Sequence, residues 1–241
     1  MIGARALAFF AIQIRIYIRT KTPLFVSLVF PIMMIFVFGS IQPRDYLETI
    51  IPGLIGFSIL TDSLFTITGM AAKYRLMNIF SQLSLTPLKK SEWLISVFAW
   101  HLIISVISFS IIVGIGHFVY SANITLSTWI AAYLFFGTLL FVSLGLLIGT
   151  VAKSVEGSGL ISNAIGFPMM VLTGTFFPVS LLPWYLQDFV KVLPLYYFVQ
   201  GLGDITVAGN ASNGLLFLGV VIAMSVAVFL MAVRLFKWRE T

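Results

Sequence analysis

LTGTFFPVSLLPWYLQDFVKVLPLYYFVQGLGDI, from Leu172 to Ile205, carries three prolines, a high density of aromatic rings and three charged side chains. It is too apolar for a solvated loop and too interrupted for one membrane-crossing helix. It fits beside a lipid phase, where Tyr and Trp settle at the boundary and the backbone must satisfy its own hydrogen bonds.

Composition agrees. The chain has 241 residues, of which 60% are hydrophobic and 9% charged. Soluble domains carry about 25% charged residues, so the class is integral membrane protein. A spanning helix needs roughly 20 mainly apolar residues. Six segments qualify, at about 23–42, 49–72, 93–118, 128–151, 159–177 and 214–235. The expectation is an all-α integral membrane fold, with one transmembrane domain filling residues 1–241. With no cysteine there is no disulfide and no thiolate metal site.

The net charge of +6 invites a nucleic-acid reading, but its distribution argues otherwise. On a six-span zigzag, 12 of the 14 basic residues fall on one side, with only Arg44 and Lys191 on the other. The positive-inside rule then places both termini in the cytoplasm. The charge reports topology, and no nucleic-acid partner is expected. Gln13, Arg15 and Arg19 interrupt any signal-peptide apolar run.

Residues 3–20 read as an amphipathic interfacial helix. At 100° per residue, Ala4, Arg5, Ala8, Ala11, Ile12, Arg15 and Arg19 share one face, with Leu7, Phe9, Phe10, Ile14 and Tyr17 on the other side. The helix is either a topology anchor or a docking element for a cytoplasmic partner. In the first inner loop, Leu76, Ile79, Phe80 and Leu83 follow helical spacing until Thr86-Pro87 breaks it. That loop reads as a short helix along the membrane, serving either as a lever for an attached motor or as a lipid-facing reversal.

Residues 178–205 follow the fifth span and lie outside. Pro183 suits the first turn of a helix from Trp184 to Val192, and Pro194 ends it and starts another through Tyr197 and Val199. A pair of short re-entrant helices is expected, either gating an exit or anchoring the outer face by its aromatics. Trp184, Phe189, Tyr196 and Tyr197 are the gate candidates.

No phosphate-binding loop of the form G-x-x-x-x-G-K-[ST] occurs, and no His or carboxylate cluster supports hydrolysis or a metal site. Gly145 and Gly149 read as a G-x-x-x-G helix contact. Asp62 lies about ten residues from the inner end of the second span, or ~15 Å, and His101 about eight residues into the third, or ~12 Å. A carboxylate at that depth costs roughly 2.5–3.5 kcal/mol on insertion scales and needs a partner. Three roles stay open for Asp62: bonding to His101 or to Ser58 or Thr66 as structural glue, lining a pathway, or coupling to protons.

The run LGLLIGTVAKSVEGSGLISNAIGFPMMVLTGTFFPVSLLPWYLQDFVKVLPLYYFVQGL, Leu144 to Leu202, resembles the membrane subunit of ABC exporters of the ABC-2 type. The shared features are a Gly-rich fourth span, a Lys-Ser turn, a fifth span ending in Gly-x-Phe-Phe-Pro, a Leu-Pro-x-x-Leu-Gln helix and a Leu-Pro-Leu-x-Tyr segment. Leu83 and Thr86-Pro87 extend the match. Two places depart from it: Asn78-Ile79-Phe80-Ser81 carries no carboxylate, and Gln200 stands where an acidic residue often follows.

The resemblance implies a permease subunit that binds no cofactor itself. ATP and Mg would sit in a separate ATPase, present in two copies beside two copies of this chain, in the plasma membrane of a prokaryote. Arg15, Arg19, Phe80, Leu83 and Pro87 would form the coupling surface. The expected substrate is an amphiphile: a hydrophobic drug, a lipid or a lipid-linked glycan. The alternatives are an ion-driven secondary transporter, which would need intramembrane ionisable groups, and a non-transporting scaffold.

Overall fold

The computed structural model describes residues 2–19, 25–41 and 43–236, and every regular element among them is helical. In chain order these are α1 (Ile2–Arg19), α2 (Phe25–Ile41), α3 (residues 44–76), α4 (Ile79–Ser84), α5 (Lys90–Tyr120), α6 (Trp129–Val151), α7 (Val155–Leu172), α8 (Trp184–Val190), α9 (Pro194–Thr206) and α10 (Ala211–Leu235). Among the described residues, α3, α5, α6, α7 and α10 are long and apolar enough to cross a membrane, and α2 is a shorter apolar helix.

Local chemistry sets the boundaries. The helix α3 runs past the expected 49–72 at both ends, from Arg44 after Pro43 to Leu76. Asn78, at φ 56°, then turns the chain into α4. Leu76 therefore stays on α3, and the expected amphipathic quartet is split between two helices. At the start of α5 the Glu92 carboxylate accepts the Lys89 backbone N–H at 2.8 Å, satisfying one of the donors that a helix start leaves free. The Ser154 hydroxyl accepts the Gly157 N–H at 2.9 Å, so α7 starts a turn before the expected 159. It also ends at Leu172, short of the expected 177, because Gly174 takes φ 91° just beyond it.

Two helices form the centre. Nearly all of α3 is enclosed, and α6 packs against α3, α5 and α10. The glycine pair Gly145 and Gly149 lets α6 approach α3 closely. A Cβ on Gly149 would stand 2.7 Å from the Ala71 Cβ and 2.8 Å from the Thr68 carbonyl. Between α5 and α6, Ser105 and Thr138 share a hydrogen bond of 2.8 Å.

Of the two short helices expected after α7, the second packs into the bundle. With Pro194 in its first turn, α9 continues to Thr206 and buries Leu195, Phe198, Val199, Leu202 and Ile205. A Cβ on Gly137 would meet the Phe198 ring at 2.4 Å, and one on Gly214 would meet Ile205 at 2.4 Å. These glycines open the slot that α9 occupies between α3, α6 and α10. Gly137 is eight residues along α6, so Phe198 reaches ~12 Å into the bundle at helical rise.

Candidate functional site

The polar centre is built from three distant parts of the sequence. Asp62 and His101 are 1% and 3% exposed, and His101 Nδ1 lies 2.6 Å from Asp62 Oδ2. The structure thus brings together the two ionisable groups that depth alone placed at one level. The third member was not foreseen. The Tyr17 hydroxyl, from α1, donates to Asp62 Oδ1 and lies 3.5 Å from the Ser27 hydroxyl. Tyr17 stands edge-on to Trp100 and to His101, with ring centroids 5.1 and 6.3 Å away. A tyrosine on the apolar side of an amphipathic helix carries a hydroxyl that needs a buried partner, and that was the available signal.

The backbone around this centre departs from α geometry twice. Thr61–Phe65, which contains Asp62, is a π-helical turn within α3, and Phe25–Val29 is a second one at the start of α2. The two turns touch, and the Ser58 hydroxyl, in the α-helical turn just before Thr61, donates to the Ser27 carbonyl. Single π turns inside α-helices are frequent at functional sites.

The same turns border a groove of about 410 Å³ on the flank of the bundle. Val26 of α2, Thr61, Phe65 and Thr66 of α3, and Asn163, Phe167 and Met170 of α7 line it. Asn163 stands exposed at the middle of α7. A side-chain amide left unpaired in hydrocarbon costs about 4–8 kcal/mol. The groove is therefore unsuited to simple lipid contact and suited to a partner or ligand with both polar and apolar parts.

The described part of α1 exposes Ala11, Ile12, Arg15 and Arg19 and buries Gln13 and Tyr17. Phe80 does not reach the surface. It is 4% exposed and lies edge-on to Tyr74, Trp93 and Phe236, with centroids 4.8 to 5.6 Å away. Leu83 and Phe9 pack on the margin of this knot, so the Phe80 ring packs α4 onto the bundle. The outward positions are Leu76, Met77 and Leu85, the last 83% exposed, beside exposed Pro87. Helical periodicity pointed to Phe80 and passed over Leu85, which sits just beyond the end of α4.

The four gate candidates separate into two pairs. Trp184 and Phe189 are exposed on α8. Tyr196 and Tyr197 are half-buried, edge-on to each other and to Phe217 of α10, and the Tyr197 hydroxyl donates to the Lys191 carbonyl at 2.7 Å. Beside them a pocket of about 280 Å³ is bordered by Glu48, Pro52, Gly174, Gln200 and Asp204. The acidic character that Gln200 lacks is therefore supplied one turn later by Asp204 and from α3 by Glu48. Burial holds the Asp204 carboxyl above the usual carboxylate range.

Comparison with known proteins adds family evidence. The family profile described as "ABC-2 type transporter" matches residues 6–207. Nodulation protein J of Bradyrhizobium diazoefficiens is 22% identical over 83% of this chain and 77% of its own length. Nodulation protein J of Rhizobium meliloti has the same identity and coverage. The inner membrane transport permease YadH of Escherichia coli is 22% identical over 68% of this chain and 64% of its own length. No solved structure matches.

Proposed function

This chain belongs to the ABC-2 type transporter family, and from that premise we propose that it is the membrane-spanning subunit of an ATP-driven exporter. It is a multi-pass membrane protein of the permease kind. In the proposed assembly, two copies span a prokaryotic plasma membrane with both termini inside, and two separate ATPase subunits bind ATP and Mg below them. The observation that carries this reading is the groove between α2, α3 and α7. It combines an apolar wall with Thr61, Thr66 and Asn163 at mid-bundle, which suits an amphiphile such as a hydrophobic drug, a lipid or a lipid-linked glycan.

The remaining elements take roles around that groove. The exposed face of α1, with Arg15 and Arg19, and the tip formed by Leu85 and Pro87 form the docking surface for the ATPase. The aromatic knot around Phe80 holds α4 against α5 and the end of α10, with Phe9 of α1 at its margin. In this reading α8 and α9 are re-entrant helices that shape the outer exit, with Trp184 and Phe189 at its surface and Tyr196 and Tyr197 bracing it against α10. The basic residues concentrated on one side support the inward termini.

Co-expression of the tagged chain with a candidate ATPase tests the assembly. The two should co-purify, and replacing Arg15, Arg19 and Leu85 together should release the ATPase without reducing membrane insertion. If the ATPase is retained by that triple variant, the docking surface lies elsewhere.

A further inference from the structure

We propose that Tyr17 is the positioning residue that couples α1 to the wall of the groove. Through its hydroxyl it holds the π turn of α3 at Asp62, and this inference rests on the ATP-driven reading above. Four observations meet at this point. Tyr17 belongs to α1, whose outer face carries the exposed arginines, yet its own ring is 6% exposed and wedged against Trp100 and His101. Its hydroxyl is bonded to Asp62, and His101 holds the other oxygen of the same carboxylate. Asp62 is the second residue of the π turn Thr61–Phe65. Thr61 and Phe65 of that turn, with Thr66 directly after it, line the groove.

A π turn contains one residue more than an α turn. Its conversion to α geometry shifts the register by one residue and swings the side chains beyond it by about 100°. That makes the turn a discrete two-position element, the kind of part that can transmit a distant displacement. With Tyr17 on Asp62, a shift of α1 along α5 pulls on the turn. Thr61, Phe65 and Thr66 then move against α7, and the opposing turn Phe25–Val29 of α2 follows through the Ser58 to Ser27 bond. Phe9 and Phe10 supply the apolar contact that keeps α1 on α5 during such a shift. The hydroxyl of Tyr17 supplies the directional tie.

The chain has no cysteine, so one introduced thiol, read as label on this subunit after the subunits are separated, reports without background. Thr66→Cys places it on the groove. The test uses the complex with its ATPase in nanodiscs and reads the rate of alkylation by N-ethylmaleimide, with and without Mg-ATP and vanadate. ATP should change the rate about fivefold or more. Adding Tyr17→Phe, which keeps the ring and removes the hydroxyl, should abolish that change while ATP hydrolysis stays near the wild-type rate. Asp62→Asn, which retains an acceptor for Tyr17, should preserve most of the change. Asp62→Leu should behave as Tyr17→Phe does, and the two together should be no worse than either alone.

An undiminished ATP response in Tyr17→Phe overturns the inference and leaves the exporter reading intact. A Tyr17→Phe complex that loses yield, hydrolysis and response in parallel shows a strut and also overturns it. No ATP response in the parent complex contradicts the ATP-driven reading itself, and the inference falls with it.

Discussion

Gly145 of α6 lies against the carbonyl of Leu64 in α3, so close that a Cβ would stand 2.7 Å from the oxygen. Leu64 is part of the π turn, and its carbonyl also accepts the Thr68 hydroxyl at 2.7 Å. One of the two close approaches of the central helices therefore coincides with the irregular turn. Gly145→Val should force the helices apart, at the ~1–3 kcal/mol typical of overpacking. Thermal denaturation in detergent should show a lowered midpoint, whereas Gly69→Ala, where no atom lies within 4 Å of the added carbon, should leave it unchanged.

Arg75 closes the C-terminal end of α6. Its two terminal nitrogens donate to the carbonyls of Thr150 and Ala152, groups that the helix end leaves without partners. Arg75→Ala should cost about 1–3 kcal/mol through carbonyls left unpaired. Arg75→Lys should recover only part of that, since one ammonium does not reproduce the planar fork. Hydrogen exchange at the C-terminal turn of α6 would report the loss. Unchanged protection there in Arg75→Ala would count against the capping role.

The carboxylate at the centre gives a sharper pair. Asp62→Leu leaves the Tyr17 hydroxyl and His101 Nδ1 buried without their partner, at about 1–3 kcal/mol for each group. Asp62→Asn keeps an acceptor and the shape. The leucine variant should be clearly less stable than the asparagine variant, and the asparagine variant should still assemble with the ATPase. Equal stability would mean that the centre contributes no net hydrogen bonding.

The membrane class and most of the helices were legible because apolar runs near 20 residues have few other uses, and because Pro183, Pro194 and Thr86-Pro87 mark breaks whatever the packing. Shared depth was enough to pair Asp62 with His101. It did not reach Tyr17, which is 45 positions from Asp62 in sequence, because helical periodicity reports which side of α1 is apolar and not what that side meets. Nothing in the residue pattern marks a π turn, since its cause is tertiary. The depth of α9 was hidden for a related reason: its slot is made by Gly56, Gly137 and Gly214 on three other helices. Phe80 was read as a contact because an amphipathic pattern identifies an apolar face without saying whether that face turns outward or onto Trp93 and Phe236.

Asp204 predicts a pH effect outside the spans. Burial raises its folded-state pKa, so the folded state binds the proton more tightly than the unfolded chain does. Stability from this group is fullest below the unfolded value of about 3.9 and declines as pH rises through the folded value. Asp204→Asn should therefore flatten the fall in thermal midpoint as pH rises above about 4. A variant that tracks the wild type across that range would show that Asp204 makes no difference.

Transport by proteoliposomes tests the exporter reading most directly. The chain is reconstituted in phosphatidylethanolamine–phosphatidylglycerol vesicles, with and without its ATPase, and movement of a fluorescent phospholipid and ATP hydrolysis are followed together. The chain alone should neither hydrolyse ATP nor move the probe, under ATP or under an imposed pH gradient. With the ATPase and Mg-ATP present, the probe should cross and vanadate should stop it. Hydrolysis by the chain alone, or transport driven by the pH gradient with no ATPase present, would contradict an ATP-driven exporter with a separate motor.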